Sequence, residues 1–427
     1  MVILEALKQF KTPTDLAVFF YKNNPLEWWA SIRFKDGYFC PKCGSTHVYK
    51  CKNGRYSCKD CKNNFTATTN TIFASTKINL SYWFTALWHL LNNANGISSH
   101  QLARITGISQ KTAFYLLHKL RYLVQVHQTY ILGKQTLCSC GSYPVYNESI
   151  DRYICPKCGK QYVSIQGKLI EENTYSNSVV SACFNLWERR TEFRKNNPNT
   201  RFESHLNPAK GLKRLGIYNI DTETFYNISK RFENWDYSEN NPTEVMIDEY
   251  YLHNNPRKAK GKNRLQQYRQ NISCLVIVDQ YKNTLMIPYE EKKYNNNIAF
   301  AKLLQRYIGN NSIIVTDESN LYKLAGSTFV KRYNSNHTNK IFTTVVDGKT
   351  YSSNICENNV RYMKRCIVGN YNRLSVKYCD LYLAGRSFRS NHNFKATNNA
   401  GRVKAYFDLV DFDTQITIKG LQFRNVA

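Results

Sequence analysis

The chain has 427 residues and carries 59 Lys and Arg against 31 Asp and Glu, a formal charge of +28. No run approaches the ~20 apolar residues that a membrane helix needs. The start, MVILEALKQFKTP, has neither a basic n-region nor a small-residue cleavage site, so a cytoplasmic protein without a membrane partner is expected. The positive charge is spread along the whole chain, and a field of that kind attracts polyanions, with nucleic acid the obvious one.

At ~150 residues per domain, this length suggests about three folding units. Residues 1–35 read as a helical segment: LEALKQF, a break at Pro13, then DLAVFFYKN. A cysteine cluster follows at 36–70, and residues 77–128 show apolar 3.6-residue periodicity. A second cysteine cluster fills 134–166, and 170–242 is a basic, aromatic, partly helical linker domain ending at Asn240-Asn241-Pro242. From 243 to 427 the pattern changes. The runs EVMID, ISCLVIVD, TLMIPY and SIIVTD read as strands, and NNIAFAKLLQRYI reads as a helix between the last two. The expected class is therefore multidomain α+β and α/β.

Eight of the 14 cysteines fall in the two clusters. Cys40-Pro-Lys-Cys43 and Cys58-Lys-Asp-Cys61 are separated by fourteen residues, and HVYKCKNGRYSC between them alternates like a hairpin turning at Asn53-Gly54. Four thiolates so spaced suit one tetrahedral Zn²⁺ in a zinc ribbon. Cys138-Ser-Cys140 and Cys155-Pro-Lys-Cys158 repeat the arrangement, again fourteen residues apart, as a second ribbon. Both zinc ions should be structural, because a shell of four thiolates leaves no open position. His47 and Cys51 are left without a required role.

Residues 97–121, ISSHQLARITGISQKTAFYLLHKLR, read as a helix-turn-helix. Ser98 or Ser99 caps a first helix whose apolar face is Leu102, Ala103 and Ile105. Thr106–Ser109 makes the turn, and Ala113, Leu116, Leu117 and Leu120 form the second apolar stripe. Gln110, Lys111, Thr112, Tyr115 and Lys119 are the candidates to reach DNA from the second helix.

Three acids stand at informative places in the β-rich part. Asp248 and Asp317 end strands, and Glu357 lies on the later helical segment SSNICENNVRYMKRCIVGNY. Such carboxylates can converge on two Mg²⁺ ions, with Mn²⁺ as a substitute, for in-line phosphoryl displacement. Asn354, Glu357, Arg361 and Lys364 share one helix face, which sets Arg361 beside the acid as a cation for a DNA phosphate. Asp279, which also ends a strand, is the main rival, with Glu249 and Glu318 as further substitutes.

Taken together, FCPKCGSTHVYKCKNGRYSCKDCKNNFTATTNTIF, GISSHQLARITGISQKTAFYLLHKLR, MIDEYYL, IIVTDESNLYKLA and NICENNVRYMKRCIVGNYNRLSVKY make the chain resemble bacterial insertion-sequence transposases with an N-terminal zinc ribbon, a group related to the Merlin elements. The resemblance covers roughly 30–126 and 244–392. It implies an RNase H-like mixed-sheet catalytic domain over 243–427 and a DDE site of Asp248, Asp317 and Glu357. Lys364 matches the family's cation, and Asn354 matches a polar residue before the last acid. The chain departs from the family in three respects: the length of 134–242, Asn358-Asn359 where a bulky aromatic is expected, and a loosely fitting DLYLAGRSFRSNHN.

The function so implied is that of an enzyme. It would bind terminal repeats and target DNA near the nucleoid, cleave and rejoin strands with Mg²⁺, and work as a dimer or larger assembly. A zinc-dependent DNA-binding protein without catalysis and an RNase H-like nuclease are the alternatives.

Overall fold

Thr12 and Asn24 each precede a proline, and each starts a helix. Proline at the first helical position lacks only an N–H that would have no partner there. The hydroxyl of Thr12 accepts from Asp15 N to begin α1 (Pro13–Lys22), and Asn24 Oδ1 accepts from Leu26 N to begin α2 (Pro25–Arg33). The computed structural model describes residues 10–93, 95–128, 131–235, 241–252, 272–335, 343–371, 374–395 and 399–407. The LEALKQF segment lies outside these except for Phe10. The described residues form two units, one drawn from Met1–Gln128 and Arg361–Ala427, the other from Thr129–Leu252 and Ile272–Val360.

In the first unit, β1 (Val48–Lys50), β2 (Tyr56–Cys58) and β3 (Asn64–Phe65) make an antiparallel sheet. Gly54 at the hairpin turn has φ +74°, which glycine adopts without strain. Helix α2 pins this module down: Trp29 Nε1 donates to Ala67 O at 2.8 Å, and Arg33 donates to Ala67 O and Thr69 O at 2.7 Å. Helix α3 (Leu80–Asn92) is apolar nearly all round and is buried accordingly. Ser98 caps α4 (Ser99–Thr106) in a capping box with Gln101. Gly107 ends it at φ +73°, and Ser109 caps α5 (Gln110–Val126). The helix-turn-helix thus has the caps expected of it, but Ile105 points outward, 55% exposed, and only Leu102 is fully buried on α4.

In the second unit, β4 (Val145–Asn147), β5 (Arg152–Ile154), β6 (Gln161–Ile165) and β7 (Lys168–Glu171) form the antiparallel sheet of the second cysteine module. Helices α6 (Asn177–Asn196), α7 (Pro208–Arg214) and α8 (Thr222–Ser229) follow and share a core around Phe184, Phe225 and Phe232.

The main sheet comprises β8 (Thr243–Leu252), β9 (Ile272–Asp279), β10 (Thr284–Tyr289), β11 (Ser312–Asp317) and β12 (Lys331–Ser335) in the order β10-β9-β8-β11-β12. The first three strands are antiparallel, while β11 runs parallel to both β8 and β12. This is the mixed sheet of an RNase H-like domain. One face carries Val245, Ile247, Leu275, Ile277 and Ile314 and packs with Phe300, Leu303 and Leu304 of α9 (Asn297–Gln305). A short helix, α10 (Ala325–Thr328), and the hairpin of β13 (Thr344–Val346) and β14 (Lys349–Tyr351) precede α11 (Asn354–Cys366).

Residues beyond 361, expected with the sheet, group instead with the N-terminal helices. There α12 (Cys379–Lys395) lies along α5, and Gln125 Nε2 donates to Asp380 at 2.5 Å. In α13 (Asn399–Phe407), the Tyr406 hydroxyl donates to Leu120 O at 2.9 Å. Among the described residues no helix is long and apolar enough to cross a membrane.

Candidate active site and metal centres

Each cysteine module gathers four sulfur atoms. The Sγ atoms of Cys40, Cys43, Cys58 and Cys61 lie within 4.8 Å of one another, as do those of Cys138, Cys140, Cys155 and Cys158. Individual separations are 3.5 Å for Cys40–Cys61, 3.7 Å for Cys43–Cys58, 3.6 Å for Cys138–Cys158 and 3.4 Å for Cys140–Cys155. Tetrahedral thiolates ~2.3 Å from Zn²⁺ would stand about 3.7 Å apart, so both sets fit a structural zinc ion. Backbone N–H groups favour the thiolates. The amide of Cys61 brings Cys58 down to about 7, and the amide of Cys140, helped by the Tyr162 hydroxyl, brings Cys138 down to about 6. Outside the first sulfur set, His47 Nδ1 is 3.2 Å from Asp60 Oδ1, an outer contact that ties the two knuckle loops.

The acids are placed by strand register. Val315 on β11 pairs with Met246 on β8, and continuing that parallel register brings Asp317 level with Asp248. Both therefore project from the face opposite the α9 layer, while Glu249, one residue on, projects toward it. The third acid lies on α11, whose buried stripe of Cys356, Val360, Met363 and Cys366 leaves Asn354, Arg361 and Lys364 exposed. Its neighbour Cys356 is fully buried, and its thiol is pushed well up by that burial and then by the charges of Asp248 and Glu357. Asp248 and Glu357 thus act on one and the same sulfur. Glu249 is raised to about 7 by burial and then by Asp317, with Asp248 adding to the effect. This part of the sheet is an accumulation of negative charge, the setting in which a hard divalent cation finds oxygen ligands. Among the described residues no three carboxylates come within 4.8 Å of one another.

The rivals fall elsewhere. Asp279 is buried at the β9–β10 turn, where Oδ1 accepts from Tyr281 N at 3.0 Å and Asn283 N at 2.8 Å, and Oδ2 accepts from Asn283 Nδ2 at 2.6 Å. Its strand partner is Val245, well down the ladder from Asp248. Glu318 is exposed on the turn after Asp317.

Arg332 was not singled out from the sequence. From the edge strand β12 its Nε donates to Thr316 Oγ1 at 2.9 Å, and its Nη2 donates to Asp317 O at 2.7 Å and Ser319 O at 3.3 Å. Nothing in the run KRYNS distinguishes this arginine from a solvated one.

On the helix-turn-helix, Gln110 and Lys111 are exposed at the start of α5, and Thr112 and Tyr115 are half-buried. Lys119 is half-buried, with its ammonium 5.7 Å from the Trp83 ring centre in a cation–π contact.

Residues 242–391 match the model of the ISXO2-like transposase domain, and residues 26–64 match that of the transposase zinc-ribbon domain. A protein of the transposable element ISH50 from Halobacterium salinarum, itself uncharacterized, is 32% identical over 93 residues, which are 20% of this chain and 30% of that relative. The matched part is thus under a third of the relative's length. No solved structure matches the chain. Two stretches of the chain are thus similar to transposase domains, a zinc ribbon followed by an ISXO2-like domain.

Proposed function

We propose that this chain is the transposase of an insertion sequence, binding the element's terminal repeats and catalysing cleavage and strand transfer inside the cell. The observation that carries the reading is the shared face of Asp248 and Asp317, with Cys356 on α11 under the combined charge of Asp248 and Glu357. Asp248, Asp317 and Glu357 would hold the divalent ions, and Asn354 would support the third acid. Bound Mg²⁺ or Mn²⁺ supplies positive charge to the attacking and leaving oxygens of a phosphodiester. Lys364 and Arg361, on the exposed face of α11, would hold DNA phosphates. Gln110, Lys111, Thr112 and Tyr115 would reach base edges, and the ribbons would display basic loops. One active site per DNA end calls for a dimer or larger assembly.

The test uses purified full-length chain, Mg²⁺ and duplex DNA bearing the element's ends. Cleaved and joined products are expected. Asp317→Asn and Glu357→Gln should lower their rate by about a hundredfold or more while duplex binding persists. Binding without cleavage would leave a zinc-dependent DNA-binding protein. Cleavage without joined products would indicate an RNase H-like nuclease.

A further inference from the structure

The first unit contains a pocket of about 190 Å³ where the start of α4, the first turns of α5 and α12 with Asn370–Tyr371 come together. That is more than a phosphate alone requires, and the pocket is open at its rim, where the rest of a larger ligand would lie.

Its chemistry is one-sided. Among the described residues the lining has no Asp or Glu, and its one permanent cation is Arg121. Arg121 is 2% exposed, and its guanidinium carbon is 4.2 Å from the Tyr382 ring centre and 5.3 Å from that of Tyr371. The rings cover its faces and leave its N–H edges for a ligand. Its bond to Ile97 O is long, at 3.5 Å. Ser99 and His100 form the first turn of α4, whose amides have no helical acceptor and carry the partial positive charge of a helix start. His118 is 2% exposed; its Nδ1 is 2.8 Å from Phe114 O, so this nitrogen carries the proton. Nε2 is then a lone-pair acceptor, and it has no hydrogen-bond partner. An unfilled buried acceptor close to a buried cation calls for a ligand that offers both an N–H and a negative charge.

We propose that this pocket takes one nucleotide, with its phosphate on Arg121 and the amides at the start of α4 and its base ring toward Phe114 and His118. The nucleotide comes either from a DNA strand or from free solution. Gln110, which opens α5, lines the pocket and donates to Ser99 Oγ at 2.9 Å, so the pocket adjoins the residues proposed to meet DNA. The strand source rests on that DNA-binding reading.

The test titrates the full-length chain with deoxyadenosine monophosphate, with inorganic phosphate as a control, by calorimetry, and with a short oligonucleotide by fluorescence anisotropy. Ser99→Trp fills the rim, and Arg121→Lys removes the fork of donors; a thermal melt of each variant reports folding. Saturable monophosphate binding that falls roughly tenfold in Ser99→Trp supports a free nucleotide. No monophosphate binding, but an equal loss of oligonucleotide affinity, supports a nucleotide within a strand. Binding of inorganic phosphate as tight as that of the monophosphate overturns the proposal, as does indifference of both ligands to Ser99→Trp. Lys111→Glu separates the two readings. If it weakens oligonucleotide binding while Ser99→Trp does not, DNA binding stands and the pocket proposal falls. If monophosphate binds but Lys111→Glu leaves the oligonucleotide unaffected, the pocket stands and the helix-turn-helix reading falls.

Discussion

Arg332 donates from Nη2 to the main-chain oxygen of Asp317 at 2.7 Å, reaching from the edge strand to the turn that follows the second acid. The same side chain also bonds Thr316 and Ser319, while Asp317 Oδ1 accepts from Ser319 N at 3.0 Å. The carboxylate is thus oriented by a turn that one guanidinium holds. Arg332→Ala should lower Mg²⁺-dependent cleavage about tenfold or more and raise the Mg²⁺ concentration needed for half-maximal rate, with Arg332→Lys recovering part of both. A metal titration of the rate checks this. An unchanged metal requirement would mean that the clamp does not govern Asp317.

Asp279 gives the contrasting case. Its carboxylate accepts three hydrogen bonds within its own turn. Asp279→Ala should cost about 1–3 kcal/mol of stability, because buried donors are left without an acceptor. Cleavage by the folded fraction should be unchanged. Urea denaturation alongside the cleavage assay measures both quantities.

The second cysteine module is stitched to α10 and to the loop that precedes β11. Ser164 Oγ donates to Thr328 O at 2.9 Å, Gln166 N donates to Ser327 O at 2.8 Å, and Asn310 Nδ2 donates to Gly167 O at 2.8 Å. Removing its metal through Cys155→Ser with Cys158→Ser should therefore destabilise the five-stranded sheet as well as the ribbon, by several kcal/mol. Elemental analysis should find one zinc ion fewer than in the parent chain, and calorimetry should show the sheet's transition moving to lower temperature.

His118 sets a pH dependence for the first unit. Burial, and then the charge of Arg121, hold its pKa down to about 4 against 6.5, and Tyr378 and Tyr382 close over the ring without supplying a negative charge. Between pH 6.5 and 4 the unfolded chain accepts a proton that the folded one refuses. Stability is therefore full above 6.5 and is lost as pH falls, by about 3 kcal/mol in all. His118→Phe should flatten that slope in denaturation curves collected across the interval.

Much of this architecture is legible in the residues. The helix-turn-helix announces itself through Ser98, Gly107 and Ser109, because caps and left-handed turns are local chemistry. The sulfur sets are legible because four thiolates can do little else at that spacing, and the β9 run ISCLVIVD is apolar from Cys274 to Val278 because both its faces are covered. The edge strand β12 is not legible. KRYNS is polar because one side meets solvent, which also hides Arg332. The ring of Trp83 beneath the Lys119 ammonium is likewise hidden, because the two lie far apart in the chain. Ile105 fits a helical stripe that the tertiary packing leaves open.

Lys134 and Asn241 stand at the two ends of the extra segment, and the ammonium of the first donates to the carbonyl of the second at 3.3 Å. Both ends also meet at Asn311, whose N–H donates to Lys134 O at 2.9 Å and whose carbonyl accepts from Thr243 N at 3.3 Å. The guest module therefore departs from and returns to a single point beside the first central strand, leaving the host's strand order untouched. A chain without this segment would be joined by a short splice across Lys134 and Asn241, at the cost of the contacts that Ser164, Gln166 and Gly167 make with the rest of the unit.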